Sequence, residues 1–256
     1  IFVATNEGLL HAIEHDYGTE LYAFMPKELL PNINEFYENQ QSTKHPYGLD
    51  GDLSIRHIDI NDNVIVDPGE KAILYVGMRR GGNNYYALDV SDRTEPKLLW
   101  QISGGSDGFE KLGQTWSKPI PTSIFYQGEA RDVVIFAGGY DTNQDPNTAN
   151  LAASQTTDDT GTAIYIVDAD TGSLIWSGQG VSGGDEIFAD MEYSIPSDIR
   201  VIDVDGDGLS DQMYVGDMGG QLWRFDFQQF HQSGQLVYGG VIAKLNGNNA
   251  TNARRF

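Results

Sequence analysis

A chain of 256 residues, 39% hydrophobic and 11% aromatic, is long enough to bury a sizeable core, which excludes disorder as its main state. Its 37 acidic residues against 16 basic ones give a net charge of -21, arguing against nucleic acid and anionic membrane surfaces as partners and favouring multivalent cations. With no cysteine there is neither a disulfide framework nor a thiolate metal site, and no run of about 18 apolar residues offers a membrane span.

In chain order, residues 1–14, "IFVATNEGLLHAIE", read as an apolar strand, a turn containing Gly8, and a second strand ending in an acid. Residues 26–39, "PKELLPNINEFYEN", place Leu29, Leu30, Ile33 and Phe36 at helical spacing, so a short amphipathic helix is expected there. The strand "IRHIDI" (55–60) then precedes a second strand–turn–strand unit, "ILYVGMRRGGNNYYALD" (73–89), whose Arg79–Gly82 turn reads as a hairpin connection. "TWSKPIPTSIF" (115–125) introduces a third unit over Val133–Asp168, interrupted at residues 141–159 by a polar, turn-rich stretch expected to be a mobile surface loop. "EYSIPSDIRVID" (192–203) introduces a fourth, compact unit, "MYVGDMGGQLWRFD" (213–226).

Three units continue into a recurring tail, which reads "AIEHDYGTELY", "ALDVSDRTEPKLLW" and "IVDADTGSLIW". The third carries Asp168, Thr171, Gly172 and Trp176 at the spacing of the tryptophan-docking motif of quinoprotein-type β-propellers, where Thr-Gly makes the turn and Trp fills the gap between blades. The second keeps Asp89 and Trp100 around a longer turn, while the first keeps only Gly18. The predicted fold is therefore all-β: a modified propeller of four-stranded antiparallel blades, three of them whole and one without its first strand. Residues 1–256 form one propeller domain or part of one, and the mid-blade start reads as a piece of a longer protein.

The join between "IRVID" and "QMYVG" is the most chemically pointed stretch. Asp203, Asp205, Asp207 and Asp211 stand at positions 1, 3, 5 and 9 of a loop, with the Leu209 carbonyl at position 7 and Gly206 and Gly208 permitting a tight curl. Hard oxygen donors at that spacing point to Ca2+. An EF-hand is excluded, because position 12 is Tyr214 rather than Glu and the exit is a strand. The bland alternative is a solvated acidic turn, in which the crowded carboxylates are expected to raise one another's pKa. The corresponding join of the second blade, "DINDNVIVD", repeats the positions with Asp59, Asn61, Asn63, the Ile65 carbonyl and Asp67. Two carboxylates have become amides there, so it is either a weaker second calcium site or an Asn/Asp-rich turn. In the third blade "YQGEARD" has lost the pattern and no metal is expected.

No catalytic constellation is present in the sequence, and the histidines at 11, 15, 45, 57 and 231 lack metal-ligand spacing, so no catalytic residue is assigned and the chain is not expected to be an enzyme. The competing readings are a quinoprotein-type dehydrogenase, which also combines such blades with calcium, and a calcium-binding adhesion module like the FG-GAP repeats of integrin α-chains.

The segments "ELYAFMPKELLP", "HPYGLDGD", "GGNNYYALDVSD", "PKLLWQI", "GQTWSKP", "DVDGDGLSDQMYVGDMGGQLWRFD" and the closing "NARRF" together resemble the C-terminal domain of the PilY/PilC family, the tip-associated adhesins of bacterial type IV pili. That resemblance implies export through the periplasm to the outer cell surface and the pilus tip. It also implies contact with minor pilins, the rest of its own chain and a host or abiotic surface, with roles in pilus biogenesis and retraction control, twitching motility, adhesion and virulence. It further implies a Ca2+ site at Asp203, Asp205, Asp207, Leu209 and Asp211.

Overall fold

The computed structural model describes residues 1–39, 46–145, 157–228 and 235–245. They form four sheets in chain order. The first holds β1 (Phe2–Ala4), β2 (Leu10–Ile13) and β3 (Glu20–Phe24), and the second holds β4 (Leu53–Ile58), β5 (Lys71–Gly77), β6 (Asn84–Asp89) and β7 (Lys97–Ser103). The third holds β8 (Ile120–Tyr126), β9 (Glu129–Ala137), β10 (Ala163–Asp168), β11 (Leu174–Gln179) and β12 (Glu186–Ile187). The fourth holds β13 (Arg200–Ile202), β14 (Gln212–Gly216), β15 (Gln221–Phe227) and β16 (Val237–Lys244). Each sheet is a meander of antiparallel neighbours, as propeller blades are, except that β12 adds to β11 in parallel. The first blade lacks a strand where β4, β8 and β13 stand in the others, as its sequence predicts.

Burial follows position within a blade. The middle strands β5, β6 and β10 and the second half of β9, Val133–Ala137, read as nearly unbroken apolar runs and are buried on both faces, because a neighbouring blade covers each side. Three apolar clusters fill the interfaces. Leu10, Leu49, Leu74 and Tyr86 join the first and second blades. Tyr75, Tyr85, Trp100, Phe136 and Tyr165 join the second and third, with Tyr85 and Phe136 centroids 4.3 Å apart. Ile135, Ile166, Trp176, Met213, Trp223 and Phe225 join the third and fourth.

The docking motif works across that second interface. The Trp100 ring from β7 lies against Gly172 in the turn of the next blade, where a Cβ would approach it to 2.8 Å, and its Nε1 donates to the Ala169 carbonyl at 3.0 Å. Gly172 also needs φ +70°, so turn geometry and close approach both call for glycine there. Asp168 holds the turn by accepting from the Thr171 backbone N and Oγ1, each at 2.8 Å. Arg56 on β4 ties the same blades by pairing with Asp132 and, at 2.9 Å, with Asp170.

One expectation needs correction. The segment 26–39 is a 3-10 helix over Lys27–Asn32 followed by a single α-helix, α1 (Ile33–Glu38), because Pro31 cannot donate within a continuous α-helix. Only Leu29 and Phe36 of its four apolar residues are buried, while Leu30 and Ile33 face outward. The fourth blade is whole, as its sequence predicts, and β16 is its last strand although no docking tail announces it. The loop at 141–159 is anchored where it is described: the buried Asp141 accepts from Asn143, Asp159 and Thr160 backbone amides, and residues 146–156 lie outside the described residues.

Candidate metal centre

The β13–β14 connection is built by short-range hydrogen bonds from its own sequence. Gly206 and Gly208 take φ +80° and +88°, which turns the backbone N–H groups inward. Asp203 accepts from Gly206 at 2.7 Å and Gly208 at 2.9 Å, Asp205 accepts from Asp207 at 3.2 Å, Asp207 accepts from Leu209 at 2.7 Å, and Asp211 accepts from Val204 at 2.6 Å. The loop is exposed except at its base, where Ser210 is buried.

Carboxylate oxygens of Asp203, Asp205 and Asp211 come within 4.8 Å of one another. Ligands on opposite sides of a calcium ion stand about 5 Å apart, twice the Ca–O distance, so this spacing and the all-oxygen chemistry fit that ion. Asp207 is outside the converging trio and is held by the Leu209 amide instead. The anticipated mutual elevation of pKa does not occur at Asp203: amides from Gly208 and then Gly206 hold its carboxyl below the usual range. Backbone dipoles thus offset part of the repulsion that the crowding creates.

The base of the loop reaches the neighbouring blade. Ser210 N donates to the Ser123 carbonyl at 2.8 Å, and the Ser210 and Thr122 hydroxyls lie 2.6 Å apart, so the acidic loop of the fourth blade is hooked onto β8 of the third.

The β4–β5 connection has the same backbone. Asp59 accepts from Val64 at 2.7 Å, Asn61 from Asn63 at 3.1 Å, and Asn63 from Ile65 at 2.7 Å, position for position as in the other loop. Asp62 and Val64 sit at φ +57° and +65°, where the other loop has its two glycines. The difference is in the centre: Asn61 and Asn63 each turn Nδ2 onto Asp67 Oδ2, at 2.8 and 2.7 Å, closing the loop with amide donors. These bonds hold the Asp67 carboxyl below its usual range, and the Val64 amide does the same for Asp59. In the third blade β8 and β9 are joined directly by Gln127 and Gly128, leaving no loop in which ligands could gather.

His11 pairs with Glu20 at 2.5 Å and His57 lies 3.6 Å from Glu70. His45, His231 and the closing "NARRF" lie outside the described residues. The Arg79–Gly82 turn is more than a hairpin connection: it stacks Arg79 over Trp116 at 4.5 Å and Arg80 over Tyr47 at 5.1 Å. Its signal was two adjacent arginines in a chain that has few cations.

A family model of the PilY1 beta-propeller domain matches residues 1–236. A type IV pilus biogenesis factor PilY1 homolog of Xylella fastidiosa (strain Temecula1) is 31% identical over 232 residues, covering 88% of this chain and 14% of its own. The type IV pilus biogenesis factor PilY1 of Pseudomonas aeruginosa (strain UCBPP-PA14) is 27% identical over 232 residues, covering 88% of this chain and 17% of its own. The crystal structure of the P. aeruginosa PilY1 C-terminal domain superposes with a TM-score of 0.59 at 26% identity, covering 88% of this chain and 38% of that one. The chain thus spans less than a fifth of the length of these curated relatives. With the blade topology, the docking tryptophan and a family match over nearly its whole length, the chain belongs to the PilY1 β-propeller family of type IV pilus biogenesis factors.

Proposed function

We propose that this chain is a calcium-binding propeller that acts outside the cell, at the tip of a type IV pilus, in pilus biogenesis and the control of retraction. Twitching motility and surface adhesion follow from that position, and the contacts are minor pilins, the rest of its own chain, and a host or abiotic surface. The observation that carries the calcium assignment is the convergence of Asp203, Asp205 and Asp211 within 4.8 Å in a loop whose amides have already oriented the carboxylates. Asp203, Asp205, Asp211 and the Leu209 carbonyl would hold the ion, with Asp207 completing the set after a side-chain rotation. A bound Ca2+ would neutralise the crowded charge and stiffen the loop. Because Ser210 hooks the loop to β8, occupancy would also tighten the third and fourth blades against each other, a route from ion to domain rigidity. The role is binding and assembly rather than catalysis: the ligands come from one continuous loop that folds around its own centre.

The test has two arms. Calcium binding by equilibrium dialysis is expected for the chain and lost in Asp205→Asn. In a strain deleted for the full-length protein, the wild-type gene should restore surface pili and twitching, while the Asp205→Asn gene restores them poorly in low calcium. Undiminished binding in the variant would sink the metal assignment, and normal piliation in the deletion strain would sink the pilus role.

A further inference from the structure

The connections between the second and third strands of the three complete blades gather at one end of the molecule. Arg80 stands in the β5–β6 connection, Tyr140 follows β9, and Met218 stands in the β14–β15 connection. Together with Tyr47, Gln114, Trp116 and Asp145 they line a cavity of about 500 Å³, a size suited to a small organic ligand.

Three observations mark this cavity as a binding site. First, Arg79 and Arg80 are exposed and, like Arg200 but unlike Arg56, Arg93, Arg131 and Arg224, join no ion pair among the described residues, and of the three unpaired arginines Arg80 lines this cavity. A guanidinium left uncompensated at the wall of a cavity is free to take an anionic group of a ligand. Second, Arg80 is held in place: it stacks on both Tyr47 and Trp116, at 5.1 and 5.3 Å, receives its orientation from the Tyr47 hydroxyl at 3.1 Å, and is anchored by its backbone N–H to Asp50 at 3.2 Å. Third, the turn that presents Arg80 is strained: its neighbour Arg79, stacked on the lining Trp116, occupies φ +55°.

The rest of the lining narrows the ligand class. Asp145 is oriented into place by the Tyr140 hydroxyl at 2.6 Å, so a plain small anion would meet a negative charge beside Arg80. A neutral polyol would leave Arg80 unused. Gln114, which accepts from Trp116 Nε1 and donates to the Arg80 carbonyl, both at 3.0 Å, keeps one N–H and one lone pair for a ligand. Rings of Trp116 and Tyr140, with centroids 5.8 Å apart, add apolar surface of the kind that packs on sugar C–H groups. We propose that this cavity binds an acidic saccharide, with its carboxylate on Arg80, its hydroxyls on Gln114 and Asp145, and its ring against the aromatic wall.

The experiment is calorimetry of the chain with trigalacturonate, maltotriose and malonate, in EDTA so that no calcium bridges the sugar to the acidic loop. Trigalacturonate should bind, with maltotriose and malonate each weaker by roughly tenfold or more, since each satisfies only half of the lining. Arg80→Gln and Asp145→Asn should each weaken trigalacturonate by about tenfold, while Arg80→Lys, which keeps the charge but loses the fork, falls between. Asp205→Asn should leave it unchanged, which separates this site from the metal loop, and unaltered circular dichroism certifies each variant's fold. No heat from trigalacturonate up to about 10 mM, equal binding of malonate or maltotriose, or undiminished binding by Arg80→Gln would overturn the proposal.

Discussion

The two acidic joins of this molecule, Asp203–Asp211 and Asp59–Asp67, share a backbone and differ in what fills it. Both curl through two left-handed positions, both tie the first aspartate to the amide at position 6, and both tie position 5 to the amide at position 7. In the fourth blade the centre holds only carboxylates and nothing on the side chains to donate between them. In the second blade two asparagines donate to Asp67, so internal hydrogen bonds do what a cation would do elsewhere. The anchoring differs as well. Ser210 at position 8 bonds to the inner strand of the preceding blade, whereas Val66 at the same position lines a cavity of about 580 Å³ beside Ile1 and Phe2, where the first blade has no inner strand. The lesson is that the curl alone does not set what a loop can hold: the charge left unsatisfied inside it differs between two loops of one backbone.

The largest expected effect is on the fourth-blade loop: Asp205→Asn with Asp211→Asn should lower calcium affinity by about a hundredfold or more, read by titration with a fluorescent chelator as competitor. Next is a contrast of carboxylates within that blade. Asp203 is held down by the Gly208 and Gly206 amides, but burial pushes Asp217 up to about 6 against hydrogen bonds from Trp223 and Gln221. A folded state that binds the Asp217 proton more tightly than the unfolded one is most stable below about pH 4 and loses that contribution as pH rises through 6, on the order of 2–3 kcal/mol. Urea unfolding across pH 4–7 should show this slope in the wild type and lack it in Asp217→Asn.

A smaller effect comes from converting one loop into the other. Asn61→Asp with Asn63→Asp replaces both internal donors with repelling carboxylates, and should tighten calcium at the second blade by roughly tenfold or more, seen as a second binding event. The smallest is backbone relief. Val64, 83% exposed, packs against little, so Val64→Gly should remove left-handed strain and raise stability by about 1 kcal/mol, or about 2–4 °C in melting temperature.

The repeat made the blades legible, because strand–turn–strand units ending in an acid recur whether or not loops interrupt them. Asp168, Thr171 and Gly172 announced the docking turn, but it was the tryptophan of the less regular copy, Trp100, that the structure stacks on it. What stayed hidden lacks a local signature. The parallel strand β12 has two residues, and β16, with exposed Tyr238 and Ile242, has no pattern beyond its pairing with β15. At the acidic loop the spacing predicts which carboxylates gather but not their geometry, since the amide that draws Asp207 away and the amides that lower Asp203 depend on how the backbone curls. The Arg79–Arg80 cluster assembles only when blades that are distant in sequence bring Tyr47 and Trp116 beside it.

The central claim, that one curl binds calcium and its twin closes on itself, is most directly tested by counting ions. Isothermal titration of the wild-type chain with Ca2+ should give one binding event that vanishes in Asp205→Asn and is indifferent to Asn61→Ala. Two events of similar affinity, or one that survives Asp205→Asn and disappears with Asn61→Ala, would contradict it.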